Sequence, residues 1–148
     1  MKGTYTITIE NKRTHYKFEI KRNLTIIRGD SATGKTTLVD MIREYAENGA
    51  NSGIILTCSR PCVTLEGANW QSILPNYKNS IVFIDEGNTF VTTKEFARQI
   101  QNTSNYYVII TRDALPMLPY SVQEIYGIRS SNKYVSLKKV HNEFYHKF

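Results

Sequence analysis

The sequence predicts a three-layer α/β sandwich on a mainly parallel sheet, with antiparallel strands added at the N- and C-terminal ends. Three observations carry that expectation. Gly29-Asp30-Ser31-Ala32-Thr33-Gly34-Lys35-Thr36 fits G-x-x-x-x-G-K-[ST] between an apolar run and a helix-compatible run. Ser80-Ile81-Val82-Phe83-Ile84-Asp85-Glu86 places four apolar residues before two carboxylates, the pattern of a buried strand whose carboxyl end emerges at a ligand-binding edge. Both ends of the chain alternate polar with apolar or aromatic residues, as half-exposed strands do.

At the N-terminus, Thr4–Glu10 is rich in β-formers, Asn11–Thr14 has turn composition, and His15–Ile20 alternates, so residues 1–23 read as an antiparallel hairpin. Leu24–Arg28 reads as the buried strand that enters the glycine-rich stretch. Leu38, Met41, Ile42 and Tyr45 recur at helical spacing and predict a helix from about Lys35 to Glu47, ended by Asn48-Gly49. The apolar run Gly53–Cys58 predicts a fully buried parallel strand. Val63–Leu65 reads as a short strand and Gly67–Leu74 as a short helix ended by Pro75, with Trp70, the single tryptophan, packed in or at the edge of the core.

After the strand ending in Asp85-Glu86, Gly87–Thr93 reads as a loop. Thr93 is placed to cap a helix over Lys94–Gln101 whose apolar face is Phe96, Ala97 and Ile100. Tyr106–Arg112 reads as another buried strand ending in polar groups. Asp113–Tyr120 holds two prolines and cannot be a continuous helix. Ile125–Arg129 and Tyr134–Leu137 then suggest a terminal hairpin across Ser130–Lys133, with a basic, aromatic end through Tyr145 and Phe148. The expected organisation is one domain, with a nucleotide-binding core over 24–112 flanked by the hairpin of 1–23 and the linker and hairpin of 113–148.

Length and composition agree with one domain. A chain of 148 residues with 41% hydrophobic content can bury a core without disulfides or metals. No apolar run approaches the ~20 residues of a membrane span, and Met1–Ile7 lacks a signal-peptide core, so a cytoplasmic location without membrane contact is expected. Cys58 and Cys62 read as free thiols, since two cysteines do not make a four-ligand zinc site and His15, His141 and His146 are distant in sequence. The net charge of +6 is uneven. Residues 1–28 carry seven Lys/Arg against two Asp/Glu, residues 29–128 seven against ten, and residues 129–148 five against one. Basic ends of this kind are either solvated outer faces of strands or a surface for nucleic acid or another polyanion.

The glycine-rich stretch carries the chemistry. Its glycines permit a tight turn in which successive N–H groups form a nest for phosphate oxygens at the positive end of the following helix. In that arrangement Gly29, Asp30, Ser31, Ala32, Thr33, Gly34, Lys35, Thr36 and Thr37 contact the nucleotide. Lys35 reaches the β- and γ-phosphates and Thr36 offers a hydroxyl to Mg²⁺.

Gly29–Thr36 resembles the Walker A motif and Ile81–Glu86 resembles the Walker B motif of P-loop NTPases. The acidic residue directly after the Walker B aspartate is similar to the division that includes AAA-type and ABC-type ATPases. The resemblance spans roughly residues 24–112. It implies ATP and Mg²⁺ as cofactors, Asp85 as metal ligand with Thr36, and Glu86 as the base that polarises the attacking water. The strand Tyr106–Arg112 resembles the sensor strand of these ATPases, so Thr111 or Arg112 is a candidate for sensing the γ-phosphate, with a salt bridge as the alternative role of Arg112.

Departures narrow the expectation. There is no LSGGQ-like signature, no helical lid after the core and no N-K-x-D guanine motif; the last absence favours ATP over GTP. The expected activity is slow, Mg²⁺-dependent ATP hydrolysis by a switch or motor subunit. A protein partner or a second copy would supply an arginine, with Arg60, Arg112 and Arg129 as the chain's own candidate cations. A small-molecule kinase and a non-hydrolysing nucleotide-binding or inhibitory module are the alternatives.

Overall fold

The computed structural model describes residues 2–28, 35–120, 124–131 and 134–139. Met1, the glycine-rich stretch Gly29–Gly34, residues 121–123, residues 132 and 133, and residues 140–148, which include Tyr145 and Phe148, lie outside the described residues.

Among the described residues, nine strands form one mixed sheet. In chain order they are β1 (Tyr5–Glu10), β2 (His15–Ile20), β3 (Leu24–Ile27), β4 (Ile55–Thr57), β5 (Cys62–Thr64), β6 (Ile81–Ile84), β7 (Tyr106–Ile110), β8 (Ile125–Ser131) and β9 (Tyr134–Lys139). Among the described residues the α-helices are α1 (Lys35–Asn48), α2 (Trp70–Ile73) and α3 (Lys94–Ile100). Across the sheet the order is β4-β1-β2-β9-β8-β3-β7-β6-β5. The run from β8 to β5 is parallel throughout. On the other side, β1 pairs antiparallel with both β2 and β4, β9 pairs antiparallel with β8, and a short parallel contact joins β9 to β2.

This corrects the expected three-layer α/β/α sandwich. The architecture is a curled mixed sheet, a half-barrel with three short helices. Chain geometry requires the curl. Laid flat, eight strand spacings would separate β4 from β5 by about 38 Å. The connector from Thr57 to Cys62 has five peptide steps and spans at most about 18 Å. The edges must therefore approach each other, and α1 touches both β4 and β5. Phe18 on β2 and Phe83 on β6 are five spacings apart in the sheet order, about 24 Å if flat. Their rings meet edge to face at 6.4 Å. Tyr5 on β1 and Tyr106 on β7 likewise meet at 5.5 Å, and the Tyr106 hydroxyl donates to the carbonyl of Gly3 at 2.7 Å.

Alternation along the strands produces two cores, one on each face. Phe83, Val108 and Ile110 face the inside of the curl with Ile7, Ile9 and Phe18 from the hairpin and Leu38, Met41 and Ile42 from α1. Val82, Ile84, Tyr107 and Ile109 face outward under Trp70, Phe90 and Phe96. Trp70 is buried there, stacked on Phe90 at 5.1 Å. Thr93 caps α3 by accepting from the N–H of Phe96 at 3.2 Å, which sets Phe96, Ala97 and Ile100 into that core.

One local expectation also changes. The run Gly53–Cys58 is not a buried parallel strand. β4 is three residues long, antiparallel to the outer edge of β1, with Ile55 61% exposed. Three successive apolar residues look alike whether one face or both are covered, and here only Ile54 is fully buried among them. As expected, α2 ends just before Pro75, at Ile73 with Leu74 as its C-cap, and Pro75 lies within the 3-10 turn Leu74–Asn76 that follows. A first-turn proline forfeits no intrahelical bond, so the chain tolerates it there. Among the described residues, no helix is long and apolar enough to cross a membrane.

Candidate functional site

β3 has parallel neighbours on both sides, β7 followed by β6 and β5 on one and β8 on the other, while β4, the next strand in the chain, lies at the far edge beyond β8. Ligands in α/β sheets bind outside the carboxyl ends of the parallel strands. Register brings those ends level. Ile27 lies beside Ile110, and Ile84 beside Ile109. The N–H of Thr111 donates to the Ile27 carbonyl at 3.0 Å, and that of Arg28 to the Tyr126 carbonyl at 2.7 Å. The chain leaving β3 into the glycine-rich stretch and the chain leaving β6 at Asp85 are thus two strand spacings apart, about 10 Å.

Asp85 and Glu86 begin the turn after β6. The Glu86 N–H donates to Asp85 Oδ1 at 2.9 Å, and Asn88 Nδ2 donates to the Asp85 carbonyl at 3.0 Å. Asn88 Oδ1 in turn accepts from the Gly67 N–H at 3.1 Å, tying the loop after β5 to the loop after β6. Gly87, at φ +94°, supplies the left-handed conformation this turn needs. Burial raises the Asp85 carboxyl above the ordinary aspartate range. The hydrogen bond from the Glu86 N–H opposes the rise, the charges of Asp40 and Glu86 add to it, and Arg43 lowers it.

Asp40 and Arg43 enter from α1. Arg43 contacts Asp40 Oδ1 and Glu66 Oε1, each at 2.7 Å. On the other side of Asp85, Glu86 Oε2 lies 3.3 Å from Arg112 Nε; the Glu86 side chain is 26% exposed and that of Arg112 57%. The Thr111 hydroxyl donates to the Asp113 carbonyl and accepts from the Asp113 N–H, at 3.2 and 3.1 Å. Asp85, Glu86, Asn88, Thr89, Thr111 and Arg112 line a cleft of about 180 Å³ at this edge.

No family model matches the chain, and no curated relative is found.

Of the residues expected at the site, the fold brings Asp85, Glu86 and Arg112 together. Thr37 is exposed on the first turn of α1 and hydrogen-bonds Tyr16, whose hydroxyl burial pushes up to about 12. Lys35 and Thr36 open α1, with their side chains outside the described residues. Gly29, Asp30, Ser31, Ala32, Thr33 and Gly34 lie outside them altogether. Arg60 is elsewhere, over the ring of Tyr5 at 5.8 Å, and the Arg129 side chain is not among those described. Thr111 is engaged within its own turn.

Sequence reasoning missed Asp40, Arg43, Glu66 and Asn88. The i,i+3 spacing of Asp40 and Arg43 was the one available signal, since such a pair shares a helix face. Nothing local distinguishes Asn88, whose role depends on two loops being adjacent.

Among the described residues there is no group of three or more His, Cys, Asp or Glu able to cage a metal ion. Mg²⁺ does not need one. It keeps several waters and takes one or two carboxylates plus substrate phosphates, so the Asp85 carboxylate fits such a site in donor type.

Proposed function

We propose that the protein binds ATP with Mg²⁺ and hydrolyses it slowly. The observation that carries this reading is the shared edge: the Asp85-Glu86 pair leaves β6 about 10 Å from where β3 leads into G-x-x-x-x-G-K-T. In this reading the backbone of Gly29–Gly34 cradles the phosphates and Lys35 neutralises the β- and γ-oxygens. Thr36 and Asp85 would hold Mg²⁺, which supplies charge neutralisation on the phosphates when bound. Glu86 orients a water and accepts its proton, because a loose phosphoryl-transfer transition state needs positioning and a nearby base more than covalent help.

Arg112 gives the edge its cation. While paired to Glu86 it holds the carboxylate away from water activation, and a γ-phosphate competes for the same guanidinium. That ion pair also favours a second reading, in which the protein binds ATP without turning it over. A kinase acting on a small acceptor draws no comparable support, since the segment after Arg112 is proline-bounded and poor in arginine.

The test is phosphate release from MgATP by purified protein, run beside Glu86→Gln and repeated with DNA, with RNA and across protein concentration. Turnover that vanishes in the variant while ATP binding persists supports the hydrolase. Stimulation by nucleic acid or by concentration would give the basic ends, or a second copy, a role. Tight ATP binding with no phosphate under any condition replaces the hydrolase with the non-hydrolysing reading, and absence of ATP binding overturns both.

A further inference from the structure

Cys58 and Cys62 stand on either side of the seam of the half-barrel. Cys58 directly follows β4, one edge of the sheet, and Cys62 opens β5, the other edge. The two edge strands do not pair with each other; β4 pairs with β1 and β5 with β6. What joins them is the connector Ser59-Arg60-Pro61, which turns tightly enough for the Cys62 thiol to lie 3.8 Å from the Arg60 carbonyl. Both sulfurs belong to the inner core cluster, Cys62 buried and Cys58 half-buried beside it.

We propose that Cys58 and Cys62 form a reactive dithiol that low-molecular-weight disulfides oxidise to an intramolecular disulfide across the seam. Cys58 is the attacking group, because it is the more accessible of the two and its thiolate is the better stabilised. A hydrogen bond from the Cys62 thiol is the largest influence, burial opposes it, and bonds to the backbone at Arg60 and Ser59 add to it, so the Cys58 thiol falls to about 6. No charged side chain contributes to that lowering. Cys62 is shifted the other way, above the ordinary thiol range, by its bond to Cys58 and by burial. It is therefore the proton-holding, resolving partner.

The steps balance. The Cys58 thiolate attacks one sulfur of R–S–S–R, forming a mixed disulfide and expelling RS⁻. Cys62 gives its proton to that thiolate and attacks the Cys58 sulfur, expelling the second RS⁻, which takes up the proton that Cys58 released to solvent on ionising. The protein dithiol loses two electrons and two protons overall, and the small disulfide becomes two thiols. The product closes the seam covalently beside α1, which touches both edge strands. This inference does not rest on nucleotide binding.

The experiment treats the full chain with excess oxidised glutathione at pH 7 and measures intact and peptide masses. Trypsin does not cut Arg60-Pro61, so Glu44–Lys78 carries both cysteines in one peptide. The expected wild-type product is that peptide lighter by two hydrogens, with no retained glutathione. Cys62→Ser should keep one glutathione on Cys58, and Cys58→Ser should react at least ten-fold more slowly than wild type. In the wild-type protein, without any substitution, the rate of alkylation by iodoacetamide should rise to half its plateau near pH 6. A stable glutathione adduct on wild type, two unreacted thiols, equal rates for wild type and Cys58→Ser, or an alkylation midpoint at the ordinary thiol pH overturns the proposal.

Discussion

Phe18 and Phe83 test the curl directly, since only a curled sheet lets them touch. Replacing each by leucine keeps the site apolar and removes the ring edge-to-face contact at 6.4 Å. Phe83 is fully buried and Phe18 is 5% exposed, so each single substitution should destabilise the fold by about 1–1.5 kcal/mol from lost packing. An edge-to-face aromatic pair contributes about 0.5–1.5 kcal/mol beyond its buried area. The double variant Phe18→Leu/Phe83→Leu should therefore be less destabilised than the sum of the singles by about 1 kcal/mol. Urea unfolding of all four proteins, compared at constant m-value, measures this coupling. In a flat sheet the residues would be about 24 Å apart and their effects would add. A coupling inside the ~0.3–0.5 kcal/mol scatter of independent sites would refute the half-barrel.

Three further outcomes follow from the strands that carry the site. Asn105 is buried and accepts from the Ser80 N–H at 3.0 Å while donating to the Tyr77 carbonyl at 3.0 Å. Asn105→Ala strands a buried donor and should lower stability by about 2–3 kcal/mol, or roughly 5–10 °C in Tm by calorimetry; a loss under about 1 kcal/mol would contradict that network. Because the Asp85 carboxyl is raised in the folded protein, the fold binds its proton more tightly than the unfolded chain does. Stability from this group is present at acid pH and is lost as pH rises through the folded value. Asp85→Asn should thus stabilise the apo protein at pH 7 and have little effect near pH 3, read as urea midpoints; a variant less stable than wild type at pH 7 would reverse the sign. Arg112→Ala breaks a partly exposed pair and should change stability by less than about 1 kcal/mol. If Arg112 binds the γ-phosphate, calorimetry should show ATP affinity falling about 10- to 150-fold with ADP affinity unchanged, and equal losses for both nucleotides would remove Arg112 from that role.

What the sequence disclosed and what it concealed divide along the range of the interactions involved. The hairpin β1–β2 was legible because His15–Ile20 alternates in register with its partner, and α1 because Leu38, Met41 and Ile42 recur on one helical face. The Thr93 cap and the apolar strands β6 and β7 are equally local signals. At the site, Asp85 and Glu86 were legible as carboxylates at a strand end. Arg112 was legible as the polar end of the next strand with a salt bridge as one of its two expected roles, and the structure pairs it with Glu86; Asn88 gained its meaning only when the loops after β5 and β6 became neighbours. The curl depended on pairings between distant segments, β1 with β4 and β2 with β9, which leave no periodic trace in either partner. Yet one decisive constraint was present as a length. Four residues, Cys58 to Pro61, separate two short strands. If those strands do not pair with each other but close opposite edges of one sheet, so short a connector leaves no flat arrangement open. The sequence carried the distance; only the pairing partners turned it into a shape.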